Sequence, residues 1–360
     1  MSSLAEARDP VGAPQVGGDA TRLARPLEAI MRRGGRPLSE RMQRTERHLQ
    51  QITAEAGAPL AGLAEATVMS GGKRLRPLLV VLAAESAGGP PDTREGEERL
   101  VRAAVAVELV HSATLVHDDL IDGARLRRGR PTVAVEAGRG AAVATGDLLF
   151  SRAFAELARN GEVAQLRALS DASSALAEGE LLQREDAYAA HVTVERYLRR
   201  CELKTAALFE AACRLGALSA LSGSRGRADR VALADALGTF ARRIGLAFQM
   251  LDDVLDVSGP PERTGKPRGT DLLDGTVTLP FIFAREREPD LCSVDLRSLR
   301  TAPQVEALCD RIAATGALEQ ARDHALAIVV EAKAALPGAL ANGGATVMGL
   351  LADSVVERYR

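Results

Sequence analysis

The stretch ELVHSATLVHDDLID, residues 108–122, decides the reading of this chain. An apolar helical run from Glu108 to Val116 leads into Asp118, Asp119 and Asp122. On an α-helix Asp118 and Asp122 lie one turn apart on the same face. The pattern returns in TFARRIGLAFQMLDDVLD, residues 239–256, where Asp252, Asp253 and Asp256 follow a second apolar run. A single cluster of this kind reads as a solvated helix end. Two copies, each at the end of a long apolar stretch, do not. The helix macrodipole opposes negative charge at a C-terminus, so something else must compensate these carboxylates. An oxygen-only donor set suits Mg²⁺, which prefers a few carboxylates plus substrate phosphates to a closed protein cage. The expected purpose is to hold a diphosphate through metal bridges.

Composition agrees with a helical protein. The 360 residues are 46% hydrophobic with a net charge of −2, enough for one large domain or two small ones with a sizeable core. Aromatics make up 3%, Trp is absent, and Ala and Leu, which lead the helix scale, dominate. Near-neutral charge argues against a nucleic-acid partner, which demands an excess of Lys and Arg. Cys201, Cys213, Cys292 and Cys309 show no C-x-x-C spacing and read as thiols rather than disulfides or metal ligands. No stretch reads as a transmembrane segment and no signal peptide opens the chain. A cytoplasmic protein is expected, with peripheral membrane contact left open.

Residues 1–35, rich in Gly, Pro, Ala and Arg without periodicity, read as a disordered arm. Helical patterns then cover about 38–56, 59–69, 75–87, 97–122, 136–159, 163–189, 193–219, 228–257, 276–287, 303–314, 317–335 and 339–358. Gly and Pro punctuate the breaks, as in Gly88-Gly89-Pro90-Pro91. No alternating run is convincing as a strand. The expectation is an all-α bundle, one domain over 36–360, with a site made by two of its longest helices.

Further residues carry chemistry. Gly71-Gly72-Lys73-Arg74-Leu75-Arg76-Pro77 joins two glycines and three cations just ahead of a helix, a loop suited to an anion. Lys73 offers a point charge and Arg76 a bidentate phosphate contact. Arg125-Leu126-Arg127-Arg128-Gly129-Arg130 either neutralises the first aspartate cluster or sends Arg127 and Arg128 to different diphosphates. Lys204-Thr205 lies within a helix. Gln249 sits one turn below Asp252, and His111 two turns below Asp118 on the same face.

Taken together, these segments resemble the trans-type isoprenyl diphosphate synthases (polyprenyl synthetases). So do Phe248-Gln249-Met250-Leu251, Gly146-Asp147 and Gly265-Lys266-Pro267-Arg268-Gly269-Thr270-Asp271-Leu272. The resemblance spans about residues 38–358. It implies a bundle of long antiparallel helices around a central cavity, and head-to-tail 1′-4 condensation of an allylic diphosphate with isopentenyl diphosphate. Asp118, Asp122, Asp252 and Asp256 are then the metal residues for Mg²⁺, with Mn²⁺ as a substitute, supported by Asp119 and Asp253. Lys204, Thr205, Gln249 and Arg127 would steady the cation and leaving group. Lys73, Arg76, His111 and Arg128 would anchor isopentenyl diphosphate. Members of this family often carry Lys where this chain has Thr276, leaving Lys204 and Lys266 to cover that charge. A homodimer is also implied.

Product length follows from the helix ending in Asp118, which at 97–122 is about 39 Å long. The growing tail must run down beside it, and the first floor one turn below the aspartates is Ala113 and Thr114, neither bulky. Leu109 or a facing residue such as Phe154 comes only deeper. A long-chain product, C30 to C50, is expected, with quinone side chains such as that of menaquinone as its use. The alternatives are a geranylgeranyl or farnesyl diphosphate synthase, a class I terpene cyclase, and a non-catalytic partner subunit of a two-component synthase. The glycine–cation loop and the second aspartate cluster argue against the cyclase, and the presence of both clusters argues against the subunit.

Overall fold

The computed structural model describes residues 24–189, 191–220, 226–259, 267–338 and 340–357. Helices account for nearly all regular structure: α1 (Ala24–Ala54), α2 (Ala58–Val68), α3 (Leu75–Ser86), α4 (Arg94–Ile121), α5 (Val133–Ala137), α6 (Arg139–Ala158) and α7 (Val163–Glu185) form the first half. The second half holds α8 (Val194–Cys201), a π turn (Glu202–Ala206), α9 (Ala207–Ser219), α10 (Arg227–Ser258), α11 (Thr270–Leu273), α12 (Leu279–Arg287), α13 (Ala302–Ala314), α14 (Ala317–Ala334) and α15 (Gly344–Glu357). The fold is all-α.

Central α4 shows why these residues form these elements. Thr93 caps it by accepting a hydrogen bond from the Gly96 amide, and Glu95 and Glu97 complement the dipole in the first turn. Leu100, Val105, Leu109 and Ala113 are fully buried, and α4 packs along α6, α3 and α9. In turn α9 lies against α10, α3 and α7, so the two aspartate-bearing helices share a neighbour. By length and composition α4 is apolar enough to cross a membrane, contrary to the sequence expectation, yet its apolar surface is spent inside the bundle.

Several features differ from those expected. Helix α1 begins at Ala24, inside the stretch read as a disordered arm, and kinks at Gly35 (φ 58) just ahead of Pro37. Ile30 is buried in the core, so burial orders a segment whose composition suggested none. The helix expected over 136–159 is divided at Gly138, whose φ of 85 ends α5 and starts α6. A two-residue antiparallel ladder pairs Leu126 with Pro131 and Arg127 with Arg130, where no strand was expected. Arg128 and Gly129 (φ 53 and 77) form its tight turn, the backbone signature of a type I′ hairpin.

Candidate active site

The Lys-Thr pair sits on the π turn. There the Ala207 amide bonds back to the Glu202 carbonyl, and the helix carries the irregularity that often marks functional sites. Glycines on both sides admit it. A Cβ on Gly179 of α7 would lie 2.7 Å from the Lys204 backbone nitrogen, and one on Gly245 of α10 would lie 2.9 Å from the Ala206 Cα. Lys204 and Thr205 are thereby wedged between α7 and α10. Lys204 Nζ donates to Glu180 Oε2 at 2.5 Å, and Thr205 Oγ1 donates to Gln249 Oε1 at 2.7 Å.

From Gln249 the chain of hydrogen bonds continues. Its Nε2 donates to Asp253 Oδ1 at 2.8 Å, while the buried Tyr197 hydroxyl donates to Asp253 Oδ2 at 2.7 Å. Burial, then the nearby Asp271 carboxylate, push the Asp253 pKa well above the usual carboxylate range. Asp256 accepts from the Asp271 amide at 3.2 Å, tying the second cluster to the start of α11. A cleft of about 460 Å³ opens here, with Asp122, Asp253, Lys204, Thr205 and Gln249 in its walls. Glu180, Arg184, Asp271, Asp274 and Thr276 line it too. Burial raises the Asp118 pKa to about 6 and that of Asp122 in the same direction; Glu180 adds to both shifts and Lys204 opposes them. Asp119 differs: Arg127 Nε reaches both its oxygens at 2.8 Å, so this carboxylate is neutralised by the hairpin.

A second, cationic region surrounds His111. Burial, followed by the fields of Arg76, Arg128, Arg127 and Arg74, holds its pKa well below the ordinary value, so the ring is neutral. Arg74, at φ 47, is structural: it bonds Glu46 at 2.8 Å, Glu108 at 2.9 Å and the Val68 carbonyl at 2.8 Å, fixing the loop between α2 and α3. Gly72 (φ 139) brings that loop against the Arg128 guanidinium, which a Cβ would meet at 3.2 Å, and Arg128 Nη1 lies 3.4 Å from Ser70 Oγ. Lys73 is exposed. Arg76 lies 5.2 Å over the Phe209 ring, and burial lowers its pKa to about 10 against the opposing pull of Glu108 and Asp252. That pull links the cationic region to the second aspartate cluster.

Of the residues singled out from sequence, then, Asp122, Asp253, Lys204, Thr205 and Gln249 share the cleft, and Asp118 feels the same Lys204 and Glu180. Ala113 and Leu109 are fully buried and Thr114 is half-buried, its hydroxyl donating to the His111 carbonyl; none of the three lines this cleft. Lys266 lies outside the described residues. Sequence reasoning missed Glu180 and Tyr197 and took in Asp271 and Arg74 only as members of their segments; the helix-interior glycines Gly179 and Gly245 were the local hints of close helix approach.

Comparison with known proteins identifies the family. The sequence pattern of the polyprenyl synthetase family matches residues 58–310. The chain is 39% identical over 251 residues to component 2 of heptaprenyl diphosphate synthase from Geobacillus stearothermophilus, covering 70% of this chain and 74% of that one. It is 37% identical over 296 residues to geranylgeranyl diphosphate synthase from Methanosarcina mazei, covering 81% and 87%. Among solved structures, polyprenyl synthase from Caulobacter crescentus, complexed with calcium and isoprenyl diphosphate, superposes with a TM-score of 0.80 at 34% identity, over 98% of this chain and 100% of that one. The chain belongs to the polyprenyl synthetase family and is an enzyme of the prenyltransferase type.

Proposed function

We propose that the chain elongates an allylic diphosphate with isopentenyl diphosphate to a long-chain product, C30 to C50. The observation carrying the reading is the cleft in which Asp122 and Asp253 meet Lys204, Thr205 and Gln249, beside a cationic region built on Arg76, Arg128 and a neutral His111.

The donor set suits Mg²⁺. Burial raises the pKa values of Asp118 and Asp122, with Glu180 adding to it and Lys204 opposing it, so a cation arriving beside them would favour their charged forms. Among the described residues no three His, Cys, Asp or Glu side chains form a ready-made cage. A metal bound through one or two carboxylates and completed by substrate phosphates needs none. Asp118, Asp122, Asp252 and Asp256 would hold it, and it would supply Lewis-acid stabilisation of the departing diphosphate.

The protein's own groups do the rest. Lys204 adds positive charge to the leaving diphosphate, and Thr205 and Gln249 set the polar wall that faces the allylic cation. Arg127 keeps Asp119 in place. Lys73, Arg76, His111 and Arg128 anchor isopentenyl diphosphate so that its double bond meets the cation. The allylic C–O bond breaks, a C–C bond forms, and the proton lost from the new chain goes to the released diphosphate. The reaction requires the cavity to exclude water during turnover, which would otherwise trap the cation as an alcohol. Thr276 opens on the cleft without a charge, and among the described residues Lys204, Arg184 and Arg200 are the cations in its lining.

Long chains are favoured because the level one turn below the aspartates carries Ala113 and Thr114. The enzyme is expected to act as a homodimer in a cytoplasmic, reducing compartment, which suits its free cysteines. A second reading is favoured by the name of the Geobacillus relative: a component that elongates only with a second polypeptide.

Purified protein incubated with Mg²⁺, farnesyl diphosphate and labelled isopentenyl diphosphate tests this, with dephosphorylated products separated by size. A ladder reaching C30 or beyond is expected. Termination at C20 would remove the long-chain reading, and label incorporated only with an added second polypeptide would favour the two-component one. Asp118→Ala and Asp252→Ala should each lower turnover by orders of magnitude with the circular dichroism spectrum intact; unchanged turnover in either would remove that residue from the mechanism.

A further inference from the structure

Glu180 lies in the wall of the cleft and is 8% exposed. Its position follows from Gly179: without a Cβ there, α7 approaches the π turn closely enough for the next side chain to reach Lys204. One carboxylate oxygen, Oε2, accepts from Lys204 Nζ at 2.5 Å. The other, Oε1, is buried and accepts no hydrogen bond, with Arg184 Nε 3.6 Å away. An unsatisfied buried carboxylate oxygen is costly, and such a group in a native cleft calls for a partner. Asp122 lines the same cleft as this pair, and the charges of Lys204 and Glu180 act in opposite senses on both Asp118 and Asp122.

We propose that Glu180 is a hand-off residue: it neutralises Lys204 while the cleft is empty, and when a metal-bound diphosphate draws Lys204 away, its freed carboxylate adds a third negative charge beside Asp118 and Asp122 that faces the incoming cations. This rests on the reading of the cleft as a diphosphate and metal site, and it makes binding of the two interdependent. With Lys204 occupied by Glu180, a bare diphosphate meets carboxylates and a masked cation. A metal alone meets carboxylates with a cation in front of them. Each ligand arriving with the other removes the obstacle. Glu180 is therefore a positioning residue that acts through Lys204, and it biases the enzyme against binding metal-free diphosphate.

The test is calorimetric and does not depend on turnover. Inorganic diphosphate is titrated into the full chain in chelator and then at increasing Mg²⁺, for wild type and for Glu180→Gln, which keeps shape and a hydrogen-bond acceptor but removes the charge. In chelator, Glu180→Gln should bind diphosphate on the order of tenfold more tightly, while the Mg²⁺ concentration giving half-maximal diphosphate affinity rises several-fold. A merely structural role would weaken both or neither. Parallel shifts, or none, overturn the hand-off. Lys204→Gln supplies a second arm should Glu180→Gln fold poorly: the freed Glu180 should tighten binding of Mg²⁺ alone several-fold, and an unchanged Mg²⁺ affinity overturns the proposal. If wild type binds diphosphate at no Mg²⁺ concentration, the reading of the cleft itself falls and the hand-off with it. Normal wild-type binding with unshifted variants removes the hand-off alone.

Discussion

Asp253 is held from both sides, by the Tyr197 hydroxyl and the Gln249 amide, and sits 3% exposed. A carboxylate so enclosed depends on its donors. Tyr197→Phe removes one and leaves Asp253 Oδ2 without it, at a cost of about 1–3 kcal/mol. The expected result is a lower melting temperature in a thermal melt together with reduced kcat; an unmoved melting temperature would show that water replaces the hydroxyl without loss. The aspartates themselves were legible from sequence because their spacing is local and repeated. Tyr197 and Glu180 were not. Each is an ordinary helix residue whose meaning comes from a partner on another helix, Asp253 or Lys204, that no local pattern announces. Arg74 was misjudged for the same reason: in sequence it shares a loop with Lys73 and Arg76, while in space it is used up by Glu46 and Glu108.

The helices were read well wherever their apolar periodicity was strong, as along α4 and α10, and less well where tertiary contacts override composition. The π turn is the clearest case. Nothing in Glu202–Ala206 distinguishes it from α-helix, and only the glycines of α7 and α10 that flank it explain how it is accommodated. Gly179→Ala should force α7 away from the Lys204 backbone and destabilise the fold by about 1–3 kcal/mol, with turnover falling alongside. Equal thermal stability would mean that the helices slide apart freely. A second link between elements joins α1 to α6, where His48 Nε2 pairs with Glu156 Oε2 at 2.7 Å. The bond to Glu156 raises the His48 pKa above its ordinary 6.5, against partial burial. A raised histidine pKa gives stability that is complete below the unfolded value and lost as pH climbs through the folded one. Stability should therefore decline by up to about 1 kcal/mol from pH 6 to above the folded pKa. His48→Gln should flatten that slope in denaturant titrations, and a slope unchanged by the substitution would assign it elsewhere.

At the scale of the whole molecule, α4 joins the aspartate end of the site to the core. Its C-terminal end carries Asp118 and Asp119, and its middle, at Ala113 and Leu109, is enclosed by the bundle. Product size should therefore respond to the middle of α4, and the chemistry to its C-terminal end. Ala113→Phe is expected to shift the product distribution to shorter chains in the same radiolabel assay with the first condensation step retained; an identical distribution would place the tail elsewhere. The hairpin at 126–131 has a bearing on this repetition. Neighbouring residues of one tight turn serve separate regions, Arg127 clasping Asp119 and Arg128 reaching the glycine loop at Ser70 and Gly72. Consecutive Cα atoms are about 3.8 Å apart, so one peptide unit acts as a caliper between the aspartate end and the loop end. A caliper built into the backbone does not stretch as a tail lengthens, so each round of elongation would begin from the same spacing of charged groups, and only the buried middle of α4, around Ala113 and Leu109, would register how many rounds have passed.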